Sequence, residues 1–161
     1  MKPYYYFFDN GIETESVQEL IDKIGDKEYV KLYFSTPGGY TRANSFFIDF
    51  LNNRKDNIEI IFTNTVESCG TILLASFKGK IHLSEDLDTL LFHKVDRQLY
   101  GQRKDSFDNK ELRKMDKEYN KNLSEKFKEL GLNDKEIKKF NRGEDVVLYK
   151  KDFHRLNINK E

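Results

Sequence analysis

The chain has 161 residues, 37% hydrophobic and 14% aromatic, which is the size and apolar content of one domain with a buried core. Its 28 basic and 28 acidic side chains cancel, leaving no whole-protein field to draw it to nucleic acid or an anionic membrane, and no apolar run approaches the roughly 20 residues of a membrane span. A lone Cys69 excludes an internal disulfide framework and suits a reducing compartment; with no signal-peptide pattern at the N-terminus, the expected location is the cytoplasm.

In chain order, "YYYFF" (Tyr4–Phe8) reads as a strand closed by "DNG". "ETESVQELIDKI" then sets Val17, Leu20, Ile21 and Ile24 on one helical face. "YVKLYF" (Tyr29–Phe34) is a second strand. After "STPGG", Ala43, Phe46, Phe47, Phe50 and Leu51 recur at helical spacing. "IEIIF" (Ile58–Phe62) is a third strand and "CGTILLASF" a short buried helix. Strands alternating with helices predict a mostly parallel sheet with right-handed crossovers, an α/β fold. "KIHLS" and "TLLFH" read as two more short strands.

From Phe107 the texture changes. Leu112, Met115, Tyr119, Leu123, Phe127 and Leu130 form a narrow stripe on a highly charged helix, with Asp108 and Glu111 as a capping box and Gly131 as the stop. Such a helix either projects to meet another subunit or packs on its own domain; pattern alone leaves both open. "NDKEIKKFNRG" repeats the device, with Asn133 and Glu136 at its start, and "EDVVLYKKDF" closes the chain as a strand-like segment.

Two strand–helix junctions carry the chemistry. In "STPGGY", Gly38 and Gly39 let bare backbone approach a ligand. In "TVESCGTILLAS", Ser68 stands where a helix begins, among unpaired N–H donors at the positive end of the dipole. A serine there is either an N-cap or an acyl-transfer nucleophile, with the Cys69 and Gly39 N–H groups as oxyanion donors. Cys69 is itself a possible nucleophile, because thiol pKa values fall at helix N-termini. A base must come from His82, His93 or His154. His93 ends the apolar strand "TLLFH" at the rim of the sheet, which favours it, but position alone leaves the other two open. Local pattern does not single out an acid among 28 carboxylates.

Taken together, "STPGG", "ESCGTILLAS", "TLLFH" and "NRGEDVVLYKKDF" resemble, in order and in separation, motifs of the proteolytic subunit of Clp proteases, in the ClpP/crotonase-like superfamily. From Gly39 to Ser68 is 29 positions and from Ser68 to His93 is 25. The resemblance spans roughly Tyr4 to Ile158. It implies one domain over residues 1–161, with repeated β-β-α and βαβ units, a mostly parallel sheet and a projecting handle helix in a region about 94–131. It also implies a serine endopeptidase that cleaves unfolded proteins or short peptides in a homo-oligomeric ring, possibly stacked, with no metal or other cofactor. Ser68 takes the nucleophile's position, His93 the base's and Asp145 the acid's, with Glu144 and Asp152 nearby as alternatives to Asp145. Gly39 and Cys69 form the oxyanion hole, and Gly38, Gly39 and Tyr40 flank the substrate.

Four departures qualify these expectations. Glu67 replaces a small residue before the nucleophile, which leaves a catalytically impaired scaffold or peptide-binding ring as the alternative function. "KVDRQLYG" follows His93 without the family's proline and glycines, and Cys69 stands in place of Met. Only three residues precede "YYYFF", where the family has a longer pore-lining segment; this weakens the expectation of an AAA+ unfoldase partner.

Overall fold

The computed structural model describes residues 1–95 and 107–159. Its sheet runs β1 (Tyr4–Asp9), β2 (Val30–Thr36), β3 (Ile58–Glu67), β5 (Thr89–Phe92) and β6 (Val146–Tyr149), with β4 (Lys80–Leu83) also paired to β3. Every pairing is parallel except β5 with β6. This is the mostly parallel α/β architecture that the strand–helix alternation predicts.

Alternation along the strands selects the faces. Val30, Leu32, Phe34, Ile58, Ile60 and Phe62 are buried on the side covered by α1 (Thr14–Ile24), α2 (Thr41–Asn53) and α3 (Cys69–Ser76). Phe34 anchors this layer, with ring centroids 5.2 Å from Phe8, 5.7 Å from Phe62 and 6.1 Å from Phe47. Residues of opposite parity, Tyr5, Phe7, Lys31 and Tyr33, lie on the other, partly exposed face.

β3 is longer than its apolar run. Ile58–Phe62 was the expected strand, yet pairing continues to Glu67, because β-branched Thr63, Thr65 and Val66 fit the pleat and β5 supplies new partners. The first half of β3 pairs with β4 and the second with β5. At the changeover the register against β2 shifts between Phe34 and Thr36, and Asn64 adopts φ 56°. The result carries Ser68 to the far rim of the sheet.

α4 (Phe107–Leu130) divides between the two expectations for the charged helix. Its second half buries Leu123, Phe127 and Leu130 on the domain, Phe127 packing edge-on against Phe92 and Phe140. Its first half leaves Met115 exposed. The capping role expected of Asp108 falls on a side chain outside the described residues, as does the handle region from Asp96 to Ser106. α5 (Asp134–Asn141) has the expected reciprocal cap: Glu136 N–H donates to Asn133 at 2.9 Å and Asn133 N–H to Glu136 at 2.8 Å. The last strand is shorter than "EDVVLYKKDF": after Tyr149 the chain tightens into a 3-10 turn, Lys150–Arg155, where Asp152 accepts from Tyr149 N–H at 3.1 Å. Among the described residues, no helix is long and apolar enough to cross a membrane.

Candidate active site

The carboxyl ends of β2, β3 and β5 open on one edge of the sheet, the crevice where open α/β sheets bind ligands. At the end of β2, the Thr36 hydroxyl accepts from Gly38 N–H at 3.1 Å and donates to Asn10 O at 2.7 Å, which fixes the turn. Gly39 forms a parallel bridge with Ile12. Ile12 N–H donates to Gly38 O at 2.8 Å and Tyr40 N–H to Ile12 O at 2.9 Å. A parallel bridge of this kind consumes the flanking peptide groups, so the N–H and C=O of Gly39 itself face the opposite side, toward α3. There Gly39 O accepts from the Cys69 thiol at 3.2 Å, while Gly39 N–H has no acceptor among the described residues. Both glycines are sterically required. A Cβ at Gly39 would lie 2.1 Å from Ile12 O; one at Gly38 would lie 2.7 Å from Ser68 Cβ and 3.1 Å from its Oγ.

Ser68 sits between β3 and α3 with φ 54° and ψ −118°, a conformation that non-glycine residues rarely hold and that costs about 1–3 kcal/mol. It persists because neighbours hold both its peptide groups: Ser68 N–H donates to Leu91 O at 2.9 Å, and Ser68 O accepts from Thr71 N–H and the Thr71 hydroxyl at 3.0 and 2.7 Å. Buried Asn44 secures the next carbonyl, donating to Cys69 O at 3.0 Å. Ser68 is the N-cap residue of α3 by position, but its side chain makes no cap bond to the helix, so the hydroxyl is not spent on capping. Cys69 N–H, in the first turn, has no acceptor among the described residues. Two unpaired amides, of Gly39 and Cys69, therefore flank a half-buried serine held on a strained strand-to-helix turn.

The Cys69 thiol is a poorer nucleophile than its helix position suggests. The side chain is 1% exposed, and burial pushes its pKa up against the lowering effect of bonds to the Gly39 backbone and the Ser68 side chain. Glu67, which departs from the family pattern, is half-buried at the end of β3.

Of the three histidines, only His93 lies at this edge. It follows directly on β5, half-buried, with Nδ1 2.8 Å from Lys94 O. His82 is in β4 beside the opposite end of β3 and pairs with Glu59; His154 is exposed in the C-terminal 3-10 turn. Ser68 and His93 share no hydrogen bond among the described residues. The antiparallel register of β5 and β6 ends with Phe92 paired to Val146, the residues that adjoin His93 and Asp145 in sequence. Asp145 is exposed and makes no hydrogen bond to His93 among the described residues. The alternative acids are engaged elsewhere: Glu144 accepts from Arg142 at 2.7 Å, and Asp152 caps the 3-10 turn. Gly38, Gly39 and exposed Tyr40 border the same edge, whereas residues 96–106, which follow His93 closely in sequence, lie outside the described residues.

One residue escaped sequence reasoning. Asn120 of α4 is 9% exposed and bonds both peptide groups of Val95, accepting from its N–H at 2.8 Å and donating to its C=O at 3.0 Å. The available signal was its position: Asn120 is three residues before Leu123 and seven before Phe127, on the buried stripe, where a polar side chain needs a partner.

A family model described as Clp protease matches residues 9–141, from the end of β1 through α5. The match takes in the glycine turn, Ser68 and His93 and stops before Asp145. A comparison with curated proteins returned no match. With the family model covering most of a mostly parallel sheet that carries the glycine turn and the strained serine at one edge, the chain belongs to the Clp protease family.

Proposed function

We propose that this chain is a serine endopeptidase that cleaves unfolded or short peptides, working as a ring-shaped homo-oligomer in the cytoplasm. Ser68 Oγ attacks the scissile carbonyl carbon while His93 Nε2 takes the hydroxyl proton. The oxyanion is met by the N–H groups of Gly39 and Cys69. As the C–N bond breaks, His93 returns the proton to the leaving amine; water, deprotonated by the same nitrogen, then releases the acyl group. Asp145, adjoining the last residue of β6 that pairs with β5, stabilises the imidazolium. An extended peptide pairs by its main chain along Gly38–Tyr40, which tolerates many side chains. No cofactor or metal takes part in these steps.

The observation that carries this reading is the strained Ser68 flanked by two unpaired amides at the strand end next to His93. Exposed Met115 on α4, with Tyr5 and Phe7 on the open sheet face, supplies apolar surface for subunit contacts. A fluorophosphonate probe tests the chemistry: labelling of the wild type that Ser68→Ala abolishes supports the enzyme. The second reading, a peptide-binding ring without turnover, is favoured by the missing Ser68–His93 hydrogen bond; an assembled, folded sample that the probe never labels would establish it. Sedimentation of the 19.2 kDa chain as a monomer at micromolar concentration would remove the ring.

A further inference from the structure

A carbonyl oxygen only accepts hydrogen bonds, so the 2.8 Å contact between His93 Nδ1 and Lys94 O makes Nδ1 the protonated nitrogen and leaves a lone pair on Nε2. A general base needs that tautomer. Lys94 C=O belongs to the same peptide group as Val95 N–H, and in a trans peptide the two point in opposite directions. Val95 N–H donates to Asn120 Oδ1 at 2.8 Å. One peptide plane thus lies in a chain of hydrogen bonds, from the His93 Nδ1–H to Lys94 O and from Val95 N–H to Asn120 Oδ1. The second bond, from Asn120 Nδ2 to Val95 O at 3.0 Å, fixes which way the carboxamide faces, since the flipped amide would set donor against donor. Asn120 is buried on α4, so the anchor is held by a packed helix.

We propose that Asn120 is a positioning residue for the proton-transfer step: it orients the Lys94–Val95 peptide so that the Lys94 carbonyl holds His93 in its Nδ1–H form. This rests on the serine peptidase reading and divides the acid's usual work. Peptide and asparagine set ring orientation and tautomer, while Asp145, exposed and not bonded to the ring, contributes charge alone. Bonds in such a chain polarise one another, by roughly 10–30% each, so loss of the far anchor weakens the near bond as well as loosening the peptide.

The test is Asn120→Leu, which fills the same space, bonds nothing and keeps water from taking the amide's place. Two measurements are made on the assembled full chain: the rate of fluorophosphonate labelling, and 15N chemical shifts of His93, taken above the ordinary imidazole pKa of about 6.5. In the wild type His93 is expected as the Nδ1–H tautomer. Asn120→Leu is expected to shift it toward Nε2–H and to slow labelling roughly tenfold or more, whereas Asp145→Asn leaves the tautomer in place. An unchanged tautomer in Asn120→Leu overturns the proposal, as does a tautomer that follows Asp145→Asn instead. Should Asn120→Leu fail to fold, Asn120→Asp decides: it keeps the acceptor for Val95 N–H and must keep Nδ1–H, and its loss overturns the proposal. The tautomer readout does not require turnover. A chain that never labels but whose His93 shifts with Asn120 defeats the peptidase reading and leaves the positioning role standing.

Discussion

The two ends of β3 lie about 30 Å apart at the usual strand rise, and each has a histidine close by. At the start of the strand, Glu59 is buried and contacts His82 at 2.5 Å, with Lys31, Lys80 and the Tyr29 hydroxyl around it. At its end, Ser68 and His93 have no carboxylate bonded to the imidazole among the described residues. Judged by histidine–carboxylate contact alone, the first end looks more catalytic. Among the described residues it has no strained backbone, and its carboxylate is surrounded by partners. The second end has less ion pairing and more unsatisfied backbone: a serine at positive φ and two idle amides. On the peptidase proposal, reaction belongs where the fold leaves donors unpaired, and the paired end serves stability.

The sharpest way to break this contrast is at the glycine turn. Gly39→Ala must displace Ile12 or the turn, since its Cβ would fall 2.1 Å from Ile12 O, and Gly38→Ala collides with Ser68 itself. Fluorophosphonate labelling is expected to vanish in both, as in Ser68→Ala, with the circular dichroism of Gly38→Ala retained. Next comes the histidine pair: His93→Ala is expected to lower labelling roughly 100-fold or more, and His82→Ala by no more than about twofold. Equal losses would erase the distinction between the two ends. A smaller effect is expected of Cys69→Ala. The proposed reaction uses only the backbone N–H at this position, and burial pushes the thiol pKa up, so labelling should stay within about threefold. The lost packing is expected to lower stability by about 1–2 kcal/mol in denaturant unfolding.

Which parts of the molecule were legible in the sequence follows the same division. Helices and strands with a periodic apolar face, such as Val17–Leu20–Ile24 or Val30–Leu32–Phe34, read directly, because burial on one face dictates the period. Ser68, Gly39 and His93 stand at element junctions, where chain order and spacing constrain position, so their meeting at one edge of the sheet could be read ahead. Singling out His93 as the base, by contrast, rested on the family resemblance. The second half of β3 was not, since "TNTVE" has no apolar alternation and owes its strand state to pairing with β2 and β5. The Asn120 clamp was hidden for a related reason. A single polar residue on a helix stripe announces that it needs a partner without saying which segment, distant in sequence, supplies it. The Lys94 carbonyl on His93 is a main-chain group, which side-chain patterns do not encode.

The last prediction concerns the paired end. Burial pushes the Glu59 carboxyl up, but the Tyr29 hydrogen bond and the charges of His82, Lys31 and Lys80 outweigh it, and the net pKa falls below the ordinary glutamate value. In turn the Tyr29 hydroxyl is raised, chiefly by its bond to Glu59 and then by burial. A carboxyl depressed in the folded state adds stability that is fully present above its unfolded pKa, about 4.3, and is lost as pH falls through the folded value. Glu59→Gln keeps most of the shape and removes the charge. It is expected to cost about 1.5–3 kcal/mol at pH 7, the range for a hydrogen bond to a charged group, and progressively less below about pH 4 as the wild-type carboxylate protonates. Urea unfolding of both proteins across pH 3–7 measures the gap. A gap that stays constant through that window would mean that Glu59 acts by shape and not by charge. Labelling by the probe at pH 7 should be unchanged in Glu59→Gln, because the stabilising cluster and the proposed nucleophile stand at opposite ends of one strand.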